Sequence, residues 1–193
     1  LTSPLPFPVS PRRWAAFLLK CLGWRVDMAP PPGPKMVVVV YPHTSNWDFI
    51  LGLLGRFACG WPFRWIGKHT IFRAPFGGLF RRLGGIPIDR ARPGAFIDDT
   101  AAFCRAAEHA LIVIAPEGTR GYVPGWKSGF HRIARAAGVP IALGYIDWSR
   151  RCVGISGYVE TSDDIEADLQ AIGRHYDAAM ARDPAKAGRI AIR

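Results

Sequence analysis

The chain reads as a single α/β layered domain: a mixed, mostly parallel sheet flanked by helices, with an amphipathic helix at its N-terminal end. Three observations predict this. Short β-branched runs such as Val37-Val38-Val39-Val40 and Leu111-Ile112-Val113-Ile114 are apolar on both faces, as strands are when helices cover both sides of a sheet. Segments of helical period alternate with those runs, the pattern of an α/β architecture. The length of 193 residues suits one core.

The elements follow in order. Residues 1–11 hold four prolines and form an extended arm. In residues 12–25, Trp14, Phe17, Leu18, Cys21 and Leu22 recur at helical spacing, with Arg12, Arg13 and Lys20 beside them. That apolar face either packs on the domain or lies in a membrane surface. The prolines of residues 30–34 break the chain, so residues 1–35 form an N-terminal arm and helix and residues 36–193 the main domain. Strands are expected at residues 36–41, 63–67, 85–89, 111–115, 140–146 and 152–159. Helices are expected from Asp48 to Phe57, over residues 74–83, around Phe96 to Ala107, and over residues 127–137, where Gly138 supplies a C-terminal stop. A last helix begins near Ser162 with the seam Ile165, Leu169, Ile172, Tyr176 and Met180.

The composition excludes a disordered or fibrous chain, with 49% hydrophobic and 21% charged residues. Its unusual feature is a formal net charge of +10. Residues 1–90 carry 12 basic and 3 acidic side chains, residues 91–193 carry 13 and 12. A basic half calls for an anionic partner: nucleic acid, an anionic membrane surface or a phosphorylated substrate. Cys21, Cys59, Cys104 and Cys152 lie far apart without a C-x-x-C pair, and read as reduced core thiols of a cytosolic protein. No apolar run approaches the ~20 residues of a membrane span.

Chemistry-bearing residues gather at strand ends, where α/β folds place their ligands. The first apolar strand runs into His43-Thr44-Ser45-Asn46-Trp47-Asp48. If the turn folds back, Asp48 fixes one imidazole nitrogen of His43 and leaves the other as a base. The same residues also fit a capping box, Ser45-x-x-Asp48, with His43 an ordinary turn residue. After a later strand comes Pro116-Glu117-Gly118-Thr119-Arg120, where Arg120 can grip a phosphate and Gly118 allows close backbone approach, or which forms only a polar turn. A third strand ends in Asp89-Arg90, bringing a second guanidinium. His69, His109, His131 and His175 have no acidic partner at a telling spacing and read as surface or packing residues. No His/Cys/Asp cluster has metal-ligand spacing, and no Gly-x-Ser-x-Gly elbow supplies a serine nucleophile.

Together these stretches resemble the glycerophospholipid acyltransferases, the family that includes 1-acylglycerol-3-phosphate acyltransferase. The likeness spans residues 36–146 and rests on motifs in family order. His43 to Asp48 matches the His-x4-Asp motif. Gly67-Lys68, Phe72-Arg73-Ala74-Pro75-Phe76-Gly77 and Gly85-Ile86-Pro87-Ile88-Asp89-Arg90 resemble the second. Pro116 to Arg120 matches Pro-Glu-Gly-Thr-Arg, and Val139-Pro140-Ile141 the short fourth. Trp126-Lys127-Ser128-Gly129-Phe130 is similar to the Lys-x-Gly step that follows the third. Pro42 stands where the family often has Asn, and Ala115 where many members have an aromatic.

The resemblance implies transfer of a fatty acyl group from an acyl-CoA or acyl carrier protein thioester to a lysophospholipid hydroxyl, with 1-acylglycerol-3-phosphate the first acceptor to expect, in phospholipid biosynthesis. It implies His43 as general base and Asp48 as its orienting partner. Arg90 and Arg120 would hold the acceptor phosphate, Glu117, Gly118 and Thr119 would shape that pocket, and Lys68 is a further phosphate candidate. No cofactor or metal is expected beyond the thioester cosubstrate. The expected location is peripheral, on the cytoplasmic face of an anionic membrane, with no nucleic-acid partner. Another lysolipid acceptor, phospholipid remodelling, or a basic lipid- or nucleic-acid-binding module are the alternative functions.

Overall fold

A computed structural model describes residues 4–88 and 93–193. Seven strands form one sheet: β1 (Arg25–Met28), β2 (Lys35–Val40), β3 (Phe63–Lys68), β4 (Gly85–Ile88), β5 (Ala110–Ile114), β6 (Ile141–Asp147) and β7 (Cys152–Val159). Their order is β1-β7-β6-β2-β5-β3-β4. All neighbours are parallel except β6 and β7, which are antiparallel and adjacent in sequence. Helices α1 (Arg13–Cys21), α2 (Asn46–Cys59), α3 (Gly77–Arg82), α4 (Pro93–Ala106), α5 (Gly129–Ala137) and α6 (Ile165–Gly173) accompany the sheet. The mostly parallel layered architecture is as the apolar runs imply.

Central strand β2 alternates its side chains between two cores, because successive residues point to opposite faces. Val37 and Val39 join Phe130, Ile133, Leu143 and Ile172 on one face. Met36 and Val38 join Trp61, Leu111 and Ile155 on the other. A strand covered on both sides must be apolar throughout, which is why β2 and β5 read as continuous runs.

The structure corrects the sequence reading at four places. Arg25, expected at the end of the first helix, opens β1, an edge strand paired with β7. Gly23, at φ +74°, ends the helical run two residues earlier. The α-helix ends at Gly173, short of the last two seam residues: Met180 closes a separate 3-10 turn, and Tyr176 leaves α6 to pack edge-on against Tyr41, its hydroxyl within hydrogen-bond reach of Val39 O and Gly144 O. His131 has a carboxylate partner, with its Nε2 2.7 Å from Asp168 Oδ2, both residues buried. Only tertiary packing brings α5 and α6 together. Cys21 is exposed, while Cys104 and Cys152 are buried, so only part of the thiol set belongs to the core.

The N-terminal helix packs on the domain along one side only. Ala15 and Leu19 are buried against the domain. The apolar face of Trp14, Phe17, Leu18 and Leu22 points outward, with Phe17 65% exposed. Among the described residues, no helix is long and apolar enough to cross a membrane.

Candidate active site

The carboxyl end of β2 delivers Tyr41, Pro42 and His43 to the edge of the sheet, where α2 begins. The first turn of α2 must satisfy backbone N–H groups that have no intrahelical acceptor. Ser45 caps it, its Oγ accepting from Trp47 N at 3.2 Å. Asp48 closes the capping box: its Oδ2 accepts from Thr44 N and Ser45 N, each at 2.8 Å. The same Oδ2 lies 3.5 Å from His43 Nδ1. The helix cap and the approach of Asp48 to His43 are therefore one arrangement. The cap holds Asp48 still, and the held carboxylate faces the imidazole.

Asp48 is almost fully buried, so its second oxygen also needs a donor. Trp148, just past the end of β6, supplies it with an Nε1–H donated to Oδ1 at 2.8 Å. The Trp148 ring packs edge-on against Trp24, and the Arg182 guanidinium stands 4.9 Å above it. Arg182 also donates from Nη1 to Ser45 Oγ at 3.3 Å. Burial holds the His43 pKa below its ordinary 6.5; the Asp48 carboxylate opposes this and Arg120 reinforces it. With Nδ1 turned to Asp48, an imidazole that carries its proton on Nδ1 leaves the Nε2 lone pair to take another.

The loop after β5 carries the second constellation. Glu117 is fully buried. Its Oε2 accepts from His43 N and its Oε1 from Gly188 N, both at 2.8 Å. It was expected at the substrate, but its oxygens are used within the protein. It ties the histidine turn to the C-terminal segment, where Tyr41 also donates from its hydroxyl to Gly188 O. Burial pushes the Glu117 carboxyl above its usual value against the pull of those two N–H donors, and the nearby Asp48 adds to the rise. Gly118 follows at φ +68°, a conformation other residues reach only with strain. That turn presents Thr119 and Arg120 outward.

Two spaces meet at His43. An apolar cavity of about 170 Å³ lies beneath α2, lined by Val38, Val40, Leu53, Val113 and Ile155, with His43 and Asp48 also on its wall. An open groove of about 1240 Å³ runs from His43 past Gly118, Thr119 and Arg120. Lys68, Arg73, Arg120, Lys127, Arg132 and Arg193 line it, and no described lining residue is acidic. Arg193 also donates to Glu117 O at 3.3 Å. Lys68 is thus on the groove wall; Arg90 lies outside the described residues.

The sequence reading passed over Trp148, Arg132 and Arg193. Trp148 carried one usable signal, its position at a strand's carboxyl end. The other two carried none, since chain folding alone brings them to the groove.

Comparison with known proteins gives two findings. The family model described as Acyltransferase matches residues 29–143. Among solved structures, the crystal structure of the 1-acyl-sn-glycerophosphate (LPA) acyltransferase PlsC from Thermotoga maritima is similar in fold, with a TM-score of 0.58. It is 20% identical, and the likeness covers 84% of this chain and 73% of that one. A search of curated sequences returns no match.

Proposed function

This chain belongs to the acyltransferase family, and from that premise we propose that it moves a fatty acyl group from an acyl thioester to the hydroxyl of a lysophospholipid, 1-acylglycerol-3-phosphate being the acceptor that fits best. The observation that carries this reading is the position of His43, beside the buried Asp48 carboxylate, where an apolar cavity opens on a basic groove. A fatty chain suits the first space and a phosphorylated headgroup the second.

In this mechanism His43 Nε2 removes the proton of the acceptor hydroxyl, and Asp48 steadies the imidazolium that forms. The oxygen attacks the thioester carbonyl, and the tetrahedral intermediate collapses by breaking the C–S bond. The leaving sulfur takes the proton back from His43, so the histidine ends neutral. Transfer is direct. Ser45 Oγ is engaged as the helix cap and by Arg182, which supports a structural role for this serine over a nucleophilic one.

Arg120 holds the acceptor phosphate, with Lys68 and Arg90 as further cations, and Gly118 and Thr119 shape the wall beside it. Glu117 acts beneath that wall by fixing the His43 backbone. Either acyl-CoA or acyl carrier protein serves as donor. The protein sits peripherally on an anionic, cytoplasmic membrane surface through the outward face of α1, whose Trp14, Phe17 and Leu22 are flanked by Arg12, Arg13 and Lys20.

The test is thiol release from long-chain acyl thioesters across a panel of lysolipid acceptors. Lysophosphatidate should support a His43-dependent rate, and full activity in His43→Ala would overturn the base assignment. Arg120→Ala should raise KM for a phosphorylated acceptor. An unchanged KM removes its phosphate role.

A further inference from the structure

We propose that the segment from β3 to β4, residues 63–88, is a second membrane-contacting face that rests on anionic lipid at the mouth of the groove. This rests on the reading that the acceptor is a lipid, and goes beyond it by naming the face through which that lipid arrives.

The segment carries Arg64, Lys68, Arg73, Arg81 and Arg82 and no acidic residue. Among the described residues, no carboxylate forms a salt bridge with any of these five. Between the cations stand Ile71, Phe76 and Leu79, 41%, 61% and 52% exposed. Apolar side chains this open cost solvation in water, and cations unopposed by acids repel one another. An anionic bilayer relieves both at once, taking the apolar groups among its acyl chains and the cations at its headgroups.

The outward display is built in rather than a sign of loose packing. Phe72 and Phe80 of the same segment turn inward onto Trp65. Gly77 lets α3 sit directly on the Phe72 carbonyl, where a Cβ would collide. With the inward side chains anchored this way, Phe76 and Leu79 are left facing out.

Position ties the face to the site. Ile71, Arg73 and Phe76 line the groove that reaches His43, as does Ile50 of α2, itself 44% exposed. A lipid could slide from the bilayer along this lip with its headgroup meeting cations throughout. Helix α1 carries the other such face and packs on α2, where the half-exposed Trp14 meets Phe57.

The experiment uses the full chain and a Leu79→Ser/Arg82→Gln variant, since neither residue lines the groove. Sedimentation is measured with vesicles of phosphatidylcholine alone and of phosphatidylcholine with phosphatidylserine. The unaltered protein should prefer the anionic vesicles, and the variant should bind them about tenfold more weakly or worse. Acyl transfer to lysophosphatidate embedded in those vesicles should fall with binding. Transfer to a short-chain acceptor dissolved as monomer should be retained. Should the double variant fail to fold, Arg82→Glu alone must still weaken anionic-vesicle binding.

Equal vesicle binding by variant and parent overturns the proposal. So does equal binding of the parent to neutral and anionic vesicles. A dimer of the parent that Leu79→Ser dissolves would make the face a protein interface, and also overturns it. If no acceptor is acylated yet vesicle binding still depends on Leu79 and Arg82, the membrane face stands and the enzymatic reading falls.

Discussion

Replacing Trp148 by Phe removes one N–H from the most buried part of the dyad and leaves an aromatic ring in place. In the intact protein Asp48 Oδ1 accepts from Trp148 Nε1 at 2.8 Å, while Oδ2 accepts from two backbone N–H groups. A hydrogen bond to a charged group contributes about 1.5–3 kcal/mol, and a buried acceptor left without it carries that loss in full. Stability should therefore fall by about 1.5–3 kcal/mol, read as a lower urea midpoint at unchanged m-value. The catalytic consequence is separable. Oδ2 remains pinned, so the carboxylate pivots rather than leaves, and kcat should drop about ten- to a hundredfold with little change in KM. Steady-state kinetics with saturating lysophosphatidate measures this. A double-mutant cycle with His43→Ala sharpens it: if Trp148 acts through the dyad, its removal costs nothing further once the histidine is gone. An unchanged kcat in a destabilised Trp148→Phe protein would refute the positioning role, and so would full additivity in the cycle.

The remaining predictions concern the same site. The acid limb of the pH–rate profile should fall below 6.5, because the base must be neutral and burial depresses the His43 pKa. The same depression makes His43's stability contribution present above 6.5 and lost as pH falls through its folded-state value, which denaturant titration between pH 7 and the acid limb would detect. Gly118→Ala should destabilise by about 1–2 kcal/mol through its left-handed φ alone, since the added Cβ would meet only the Lys127 side chain at an ordinary 3.5 Å. Thermal unfolding measures this, and an unchanged midpoint would mean that the turn relaxes. Glu117→Gln replaces one acceptor oxygen with a donor that cannot serve the His43 or Gly188 N–H, so kcat and stability should both fall, the latter by about 1–3 kcal/mol in chemical denaturation. Gly52→Val places a side chain in the apolar cavity beside Ile146, and should shift thioester preference toward shorter chains in a chain-length series.

Much of this protein is legible before folding. Continuous β-branched runs at β2 and β5 announce a covered parallel sheet, because a strand buried on both faces has no position where a polar side chain is tolerated. The turn from His43 to Asp48 is legible for a similar reason. A helix start demands a cap within a few residues, and local hydrogen bonds need only local sequence. Edges and ends were harder. β1 is short and half-exposed, its identity lying in its pairing with β7. The seam through Tyr176 and Met180 keeps helical spacing in sequence while the chain has already left the helix to reach the sheet.

What tertiary structure alone decided was which distant groups meet. Trp148 stands 100 positions from the carboxylate it serves, Gly188 stands 71 from Glu117, and Asp168 stands 37 from His131. It also decided which face of α1 is turned outward, since periodicity identifies an apolar stripe but not what it touches. Pattern records the demands a residue makes on its neighbours in the chain. The demands made across space, such as a second donor for a buried carboxylate or the arrival of Arg132 and Arg193 beside one groove, are met by residues whose neighbours in sequence say little of where folding carries them.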